Sequence, residues 1–506
     1  MHETTPDPSS ARVQVDHVDY ESFGAVGDGV ADDLPAICQA HAHANAHGLP
    51  VRSRPDATYH LGRRALTAVI ATDTDWSTSR FRIDDRDVED HKAPLFDVRS
   101  LLDPITLSVD RLARDQRQVD VRPDRDCVVR VEYAGRRRYI RRGLNRNAGR
   151  PQHDCFVLRR DGSIRGDIDW DYEHGGTVEA HPIDDATLHV RGGVFETFAN
   201  DADNSGGYDY WGRNITVQRS NTEVVGLTHY VVGETSMGCP YRGFVSVHRC
   251  ADVTLRDCWF TGHKIYQTIG AAGKPVSMGS YDVHANSVVG LRLVGCRMNH
   301  IRDRTRWGVI ATNHCKDILL EDCHLSRMDT HMGVSGAYTV RRCTLGYMGL
   351  NAIGRGVLTV EDATLYGPSL VSFRGDYGST WEGRVVVRNS RWVPACGDAL
   401  TQVHLFAVHN DGMHDFGYPC SMPEQIEIDG LVVDDSNAPE DYEGPWLFTD
   451  PDAATDHDGE LPTERPFPYA PTQRVTIRGL ATASGKPLRT APDAGLAAAV
   501  QVVPQR

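Results

Sequence analysis

From about residue 185 onward, short β-rich runs end in a small residue at recurring intervals. They are Val217-Gln218-Arg219-Ser220, Thr254-Leu255-Arg256-Asp257-Cys258, Leu291-Arg292-Leu293-Val294-Gly295-Cys296, Leu319-Leu320-Glu321-Asp322-Cys323, Thr339-Val340-Arg341-Arg342-Cys343, Thr359-Val360-Glu361-Asp362-Ala363 and Val386-Val387-Arg388-Asn389-Ser390. The successive spacings between closing positions 220, 258, 296, 323, 343, 363 and 390 are 38, 38, 27, 20, 20 and 27. A constant shortest period with variable additions predicts a solenoid whose coils share three short strands and differ in one loop. Alternate strand residues then point inward, and the small residue stacks at a tight corner. On this reading the cysteine column is core packing and its thiols are reduced. A zinc site would need closely paired ligands such as C-x2-C, and the twelve cysteines include no such pair.

The run Phe23-Gly24-Ala25-Val26-Gly27-Asp28-Gly29-Val30-Ala31-Asp32-Asp33 precedes an Ala-rich stretch from Leu34 to about His47. A short strand, a Gly-Asp-Gly turn needing positive φ, an acidic turn and a helix follow in order. This run resembles the opening of the pectate-lyase-like superfamily, which includes polygalacturonases, phage tail-spike depolymerases, lyases and other glycan-active enzymes. The resemblance is confined to this one stretch, from Phe23 into the start of the helix. It implies an all-β, right-handed parallel β-helix with an N-terminal capping helix, and an oligo- or polysaccharide substrate. Related spikes are trimers, so it also implies a homotrimer. The motif is a structural cap and carries no catalytic residue.

The chain divides into a flexible tail (1–18), a cap strand and helix (19–48), the β-helix (49–436) and a last segment (437–506). Alternation such as Cys127-Val128-Val129-Arg130-Val131-Glu132-Tyr133 predicts an antiparallel insertion at about 103–175. The last segment is a Pro-, Asp- and Glu-rich surface loop, one strand from Arg474 to Ile477 and a loose tail.

A net charge of −15 argues against a nucleic-acid partner, which needs a basic face. The same charge favours a neutral or cationic sugar over an anionic one. The one dense basic run, Arg136, Arg137, Arg138, Arg141 and Arg142, reads as a solvated hairpin face. No stretch approaches the ~20 apolar residues of a membrane span. Residues 1–16 contain no apolar signal core, so the expectation is a cytoplasmic protein, or a secreted one if a leader was removed.

The residues fourteen places before positions 296, 343 and 390 are Asp282, Asp329 and Asp376; before 323 and 363 they are Val309 and Gly349. This count predicts one column with Asp at every second coil. Two of the three open Asp-x-His motifs, Asp282-Val283-His284 and Asp329-Thr330-His331, which place Asp and His on one strand face. Paired carboxylates are the machinery of glycoside hydrolysis, about 5 Å apart for retention and ~6.5–9.5 Å for inversion. Asp329 heads the catalytic candidates, with Asp303, Asp376, Asp282 and His331. Trp307, Arg302, His284, Lys264, Trp381 and Glu382 are the candidates for substrate contact, the two tryptophans by stacking on sugar faces. Neither a metal nor another cofactor is expected, since the two Asp-x-His pairs sit too far apart to share one ion.

A glycoside hydrolase is therefore the first expectation. The polygalacturonase motifs Asn-Thr-Asp, Asp-Asp, Gly-His-Gly and Arg-Ile-Lys are missing as a set from the central coils. A polysaccharide lyase or a cyclising glycan transferase is the second expectation, with Lys264, Arg302 or His331 as base. A tail-spike-like glycan-binding protein without catalysis is the third.

Overall fold

A computed structural model describes residues 16–141, 147–173, 176–312, 314–394, 403–408, 416–450 and 470–504. Most of the N-terminal tail, Arg142 and much of the Pro-, Asp- and Glu-rich loop lie outside the described residues.

Each coil runs through three short strands, and each strand pairs in parallel with its counterparts one coil before and after. The first face stacks Phe96–Val98, Ile215–Val217, the start of Val245–Arg256, the start of Val283–Val294, Val309–Thr312 and the end of His324–Asp329. The second face stacks Leu188–Arg191, Thr222–Val225, the later parts of Val245–Arg256 and Val283–Val294, Cys315–Glu321, Val334–Arg341 and Gly354–Glu361. The third begins at Thr58–Leu61 and Arg80–Asp84 and continues through Val194–Phe198 and Thr228–Val232 to Trp259–Phe260. This is a right-handed parallel β-helix, the hand that parallel crossovers adopt.

Why the ladder exists is visible in the backbone. Between the second and third faces the chain turns on one residue in the left-handed region: Gly226, Asp257, Gly295, Asp322, Arg342, Asp362, Asn389 and Gly430, with φ from 44° to 77°. Gly, Asp and Asn tolerate that region, and so they recur there. The next residue points into the core: Cys258, Cys296, Cys323, Cys343 and Ala363 are at most 2% exposed. Their thiols bond neighbouring carbonyls, as Cys296 Sγ does to Leu255 O at 3.3 Å, and the four cysteines form no disulfide. Ser220 is not part of this column. It lies at the corner between the first and second faces, and the register of Thr228 with Trp259 puts Leu227 in line with Cys258. The β-rich run ending at Ser220 belongs to the first face, one strand earlier in its coil.

Helix Leu34–His47 closes the N-terminal end with Leu34, Ile37, Ala40 and Ala44 against the first coils. Asp33 knits the motif together by accepting from the amides of Val26, Gly27 and His60. At the other end the chain departs from a loose tail. Residues Ala494–Ala499 form a short helix, and Gln501–Pro504 adds a strand beside Arg474–Arg478.

The insertion is a five-stranded antiparallel sheet of Ile105–Val109, Cys127–Arg138, Arg150–Leu158, Ile164–Arg165 and Gly176–Pro182, so it reaches past 175 to Pro182. It leaves after Phe96–Val98 and rejoins at Leu188–Arg191, so it stands at the corner between the first and second faces. Buried Lys316 of the β-helix fastens it, with Nζ 2.5 Å from Asp154 and 3.4 Å from Asp169. At the opposite corner, between the third and first faces, coils carry the additions that the spacing predicted. The segments 199–214, 233–244, 261–282 and 299–308 build a wall there, including a hairpin of Tyr266–Ile269 and Pro275–Met278. The first face is thus the floor of a groove, with the insertion on one side and the long loops on the other.

Candidate functional site

Floor residues alternate, apolar inward and polar outward. The outward positions form two lines along the axis: Asp97, Thr216, Ser246, His284 and, two coils on, Asp329; and Gln218, His248 and Asn286. Over them lies a cleft of about 800 Å³ between floor and insertion. Its titratable lining comprises Arg130, Glu132 and Arg150 from the insertion, Arg242 and Arg249 from the coils, and the imidazoles of His153, His248, His284 and His314. Arg130 is occupied by Glu132 at 2.6 Å. Among the described residues, Arg150, Arg242 and Arg249 have no carboxylate within ion-pair distance. The cleft therefore carries surplus positive charge on a chain whose net charge is −15.

Burial and these guanidiniums keep the imidazoles neutral. Burial, then Arg242 and Arg249, hold His248 down at about 4, and its Nε2 lies 2.7 Å from Ser246 Oγ. Burial, then His248 and Arg242, push His284 well below the ordinary histidine range. A half-buried neutral imidazole carries an available lone pair at neutral pH.

Further along the floor stands an alternating charge network. Asp329, with no solvent exposure, accepts two hydrogen bonds from Arg374 Nη1 at 3.0 and 2.8 Å. It also has Arg327 Nη2 at 3.1 Å and the Tyr281 hydroxyl at 3.4 Å. Arg374 uses its other edge to hold Asp376, which also accepts from Arg141 of the insertion. Three guanidiniums thus meet two carboxylates. His331 lies beside them with Nε2 3.3 Å from the Tyr377 hydroxyl, and burial, then Arg374, Arg141 and Arg327, push it well below the ordinary range.

The expected single Asp column does not form. Val283, Val309 and Met328 share one register, yet their separations from the corner cysteines at 296, 323 and 343 grow by one place per coil. The turn between the first and second faces is what lengthens, so a constant count back from the corner slides off register. Asp329 aligns with Ile310 and His284, two residues along from Asp282. Asp376 sits beyond the first-face strand Ser369–Phe373, in the helical turn Gly375–Tyr377.

The remaining candidates scatter. Trp381 has no exposed surface and packs in the core near Tyr338, so it cannot stack on a sugar. Glu382 lies on the second face, where it holds Arg114 of the insertion at 2.6 Å. Asp303 binds within its own loop, to the amide and hydroxyl of Thr305. Arg302 reaches the Tyr366 hydroxyl on the third face at 2.6 Å. Lys264 turns its ammonium to Met237 O and lies over the Tyr266 ring. Trp307 stands at the groove wall, its ring under the Arg327 guanidinium at 4.4 Å. His284 is on the floor itself.

No family model matches the chain. It resembles the tailspike gp49 of Pseudomonas phage LKA1 over 96% of this chain and 84% of that one, at 12% identity and a TM-score of 0.51. The shared element is the fold. The tailspike gp61 of Pseudomonas phage phi297 aligns over 92% of this chain and 80% of that one, at 13% identity and a TM-score of 0.49. In sequence, 94 residues are 29% identical to a capsule KL64-specific depolymerase of Klebsiella phage P510, covering 16% of this chain and 9% of that protein. The chain thus matches less than a tenth of that protein's length.

Sequence reasoning missed Arg130, Arg150, Arg242, Arg249 and His248. A signal for His248 was present in the first-face strands, where Val245-Ser246-Val247-His248 and Val283-His284-Ala285-Asn286 alternate apolar and polar residues. The arginines lie on the insertion and at corners, and no local pattern points them at the floor.

Proposed function

We propose that the groove binds an acidic polysaccharide and cleaves it, with elimination as the reaction its residues favour. The observation that carries this reading is the cleft's charge: three guanidiniums without a carboxylate partner beside imidazoles held neutral. An arginine would neutralise a uronate carboxylate, which acidifies the adjacent ring proton. His284 on the floor would take that proton as general base. The bond from the ring carbon to the glycosidic oxygen then breaks, its electron pair leaves on that oxygen, which takes a proton from water, and a carbon–carbon double bond remains in the new non-reducing end. Likeness in fold to a phage tailspike and a short match to a capsule depolymerase support a polysaccharide substrate. A homotrimer belongs to the same proposal, and the mass in solution tests it.

Hydrolysis is the second reading, favoured by one observation: Arg374 holds Asp329 and Asp376 on the two edges of a single guanidinium. Incubation with acidic and neutral glycans separates the two. Unsaturated-uronate absorbance rising with chain cleavage supports elimination; new reducing ends without it support hydrolysis. Binding without cleavage would leave a glycan-binding spike. Under elimination, His284→Gln lowers kcat by about 100-fold or more with the fold intact; unchanged turnover removes His284 from the reaction.

A further inference from the structure

Outside the cleft, at the corner between the third and first faces, three buried side chains converge. His229 comes from the third-face strand Thr228–Val232, His263 from the wall segment 261–282, and Asp282 from the residue just before Val283–Val294. Their exposures are 1%, 1% and 0%. A ring nitrogen of each histidine and a carboxylate oxygen of Asp282 lie within 4.8 Å of one another. Nδ1 of His229 and both oxygens of Asp282 are buried without a hydrogen-bond partner. A dry carboxylate that accepts nothing is among the most costly groups a protein can bury.

The surroundings arrange these atoms for a cation. His229 stacks flat on Phe244 at 3.6 Å, and His263 on Tyr241 at 4.6 Å, so both rings are fixed before anything binds. His229 Nε2 is 3.0 Å from the Thr197 hydroxyl. With Nε2–H donated there, Nδ1 turns a lone pair toward Asp282 Oδ1, 3.9 Å away, too far for a hydrogen bond. Behind His263, Glu234 Oε1 lies 3.5 Å from Nδ1. Glu234 also accepts from the Lys264 amide, the Tyr266 hydroxyl and Arg306. A carboxylate behind a ligating histidine is the usual means of fixing its tautomer and raising its basicity.

We propose that His229, His263 and Asp282 bind one divalent transition-metal ion, zinc foremost. Two imidazoles and one carboxylate suit zinc, nickel or copper, and they disfavour calcium or magnesium, which take oxygen shells. Bonds of ~2.0–2.2 Å to a tetrahedral ion place ligand atoms about 3.3 Å apart, a small contraction of the present spacing. The ion would tie His263 of the wall segment to the scaffold strand carrying His229 and to Asp282 at the entry to Val283–Val294. The site is independent of the reaction assigned to the groove.

The full chain, stripped with a chelator and dialysed, is titrated with Zn²⁺ and with Co²⁺. The expected result is one tight equivalent per chain, a Co²⁺ visible spectrum typical of nitrogen and oxygen ligands, and a Tm raised by Zn²⁺. Asp282→Asn and His263→Gln each weaken that equivalent by more than about 100-fold. His263→Gln changes a wall segment and not a coil strand, so the test survives if Asp282→Asn folds poorly. No tight equivalent in the unaltered protein, or undiminished binding in folded His263→Gln, would overturn the proposal.

Discussion

Asp282 and Asp329 open the same tripeptide pattern on the same face of the solenoid, and neither has exposed surface. Their surroundings are opposite. Asp329 is saturated by Arg374, Arg327 and Tyr281. Asp282 has no donor among the described residues and faces two imidazoles. The difference comes from register and from what the loops bring. Two residues of slippage along the floor put Asp329 among guanidiniums that extend to the insertion through Arg141, and put Asp282 under the wall segments. An Asp-x-His pattern specifies side chains; the coils above and below decide whether the carboxylate is neutralised or waiting for a cation.

Stability should respond most strongly to this contrast. Asp329→Ala leaves buried guanidiniums uncompensated and costs about 3–5 kcal/mol of stability in urea unfolding. Asp282→Ala, in metal-free protein, removes an unpartnered charge and costs less than about 1 kcal/mol, or stabilises. Equal losses at the two positions would erase the distinction.

A more modest change is expected where the paired network gives way to the unpaired cleft. Arg242→Ala weakens binding of an acidic glycan by about 10- to 100-fold, the worth of one charge-assisted hydrogen bond of ~1.5–3 kcal/mol, and flattens its salt dependence. Binding and stability measured together separate this residue from Arg374, whose loss unbalances the network and lowers stability as well.

Each group contributes least through pH dependence. His41 and His153 are held at about 3, and His248 at about 4, chiefly by burial. Unfolded, these groups titrate near 6.5, so between about pH 6.5 and 4 the unfolded chain binds more protons than the folded one. Their contribution to stability is complete above about pH 6.5 and is lost as pH falls. Asp85 and Asp154, pushed up to about 6 by burial that outweighs the pull of Arg213 and Lys316, act in the opposite sense over about pH 3.8 to 6. The histidines outnumber them, so urea midpoints should fall on acidification from pH 6.5 to 4. A flat or rising profile would show that these imidazoles are charged in the folded state.

Much of the fold was legible because it repeats. A left-handed corner admits few residue types, and the buried position after it admits small or apolar ones; that pair recurs from Asp257-Cys258 to Asn389-Ser390. The cap was legible because Gly27, Gly29 and Asp33 are demanded by local geometry. The site was less so. The corner between the first and second faces lengthens over the coils of Val283, Val309 and Met328, and no residue pattern marks the added residue. Trp381 and Glu382 follow Asp376 closely in sequence but lie on the second face, one turned into the core and the other toward the insertion. Arg141 lies in the basic run that reads as solvated, yet it is largely buried against Asp376 and the Tyr377 ring. The net negative charge pointed toward a neutral or cationic sugar, whereas the local field in the cleft is positive because its carboxylates are few.

Whether the positive cleft selects the substrate is decided by measuring cleavage of an acidic and a neutral polysaccharide by the intact protein across a series of salt concentrations. The expected result is turnover of the acidic chain, with unsaturated-uronate absorbance and a rate that falls as salt screens the cleft, and no turnover of the neutral one. Cleavage of the neutral polymer at an equal rate, unaffected by salt, would contradict it.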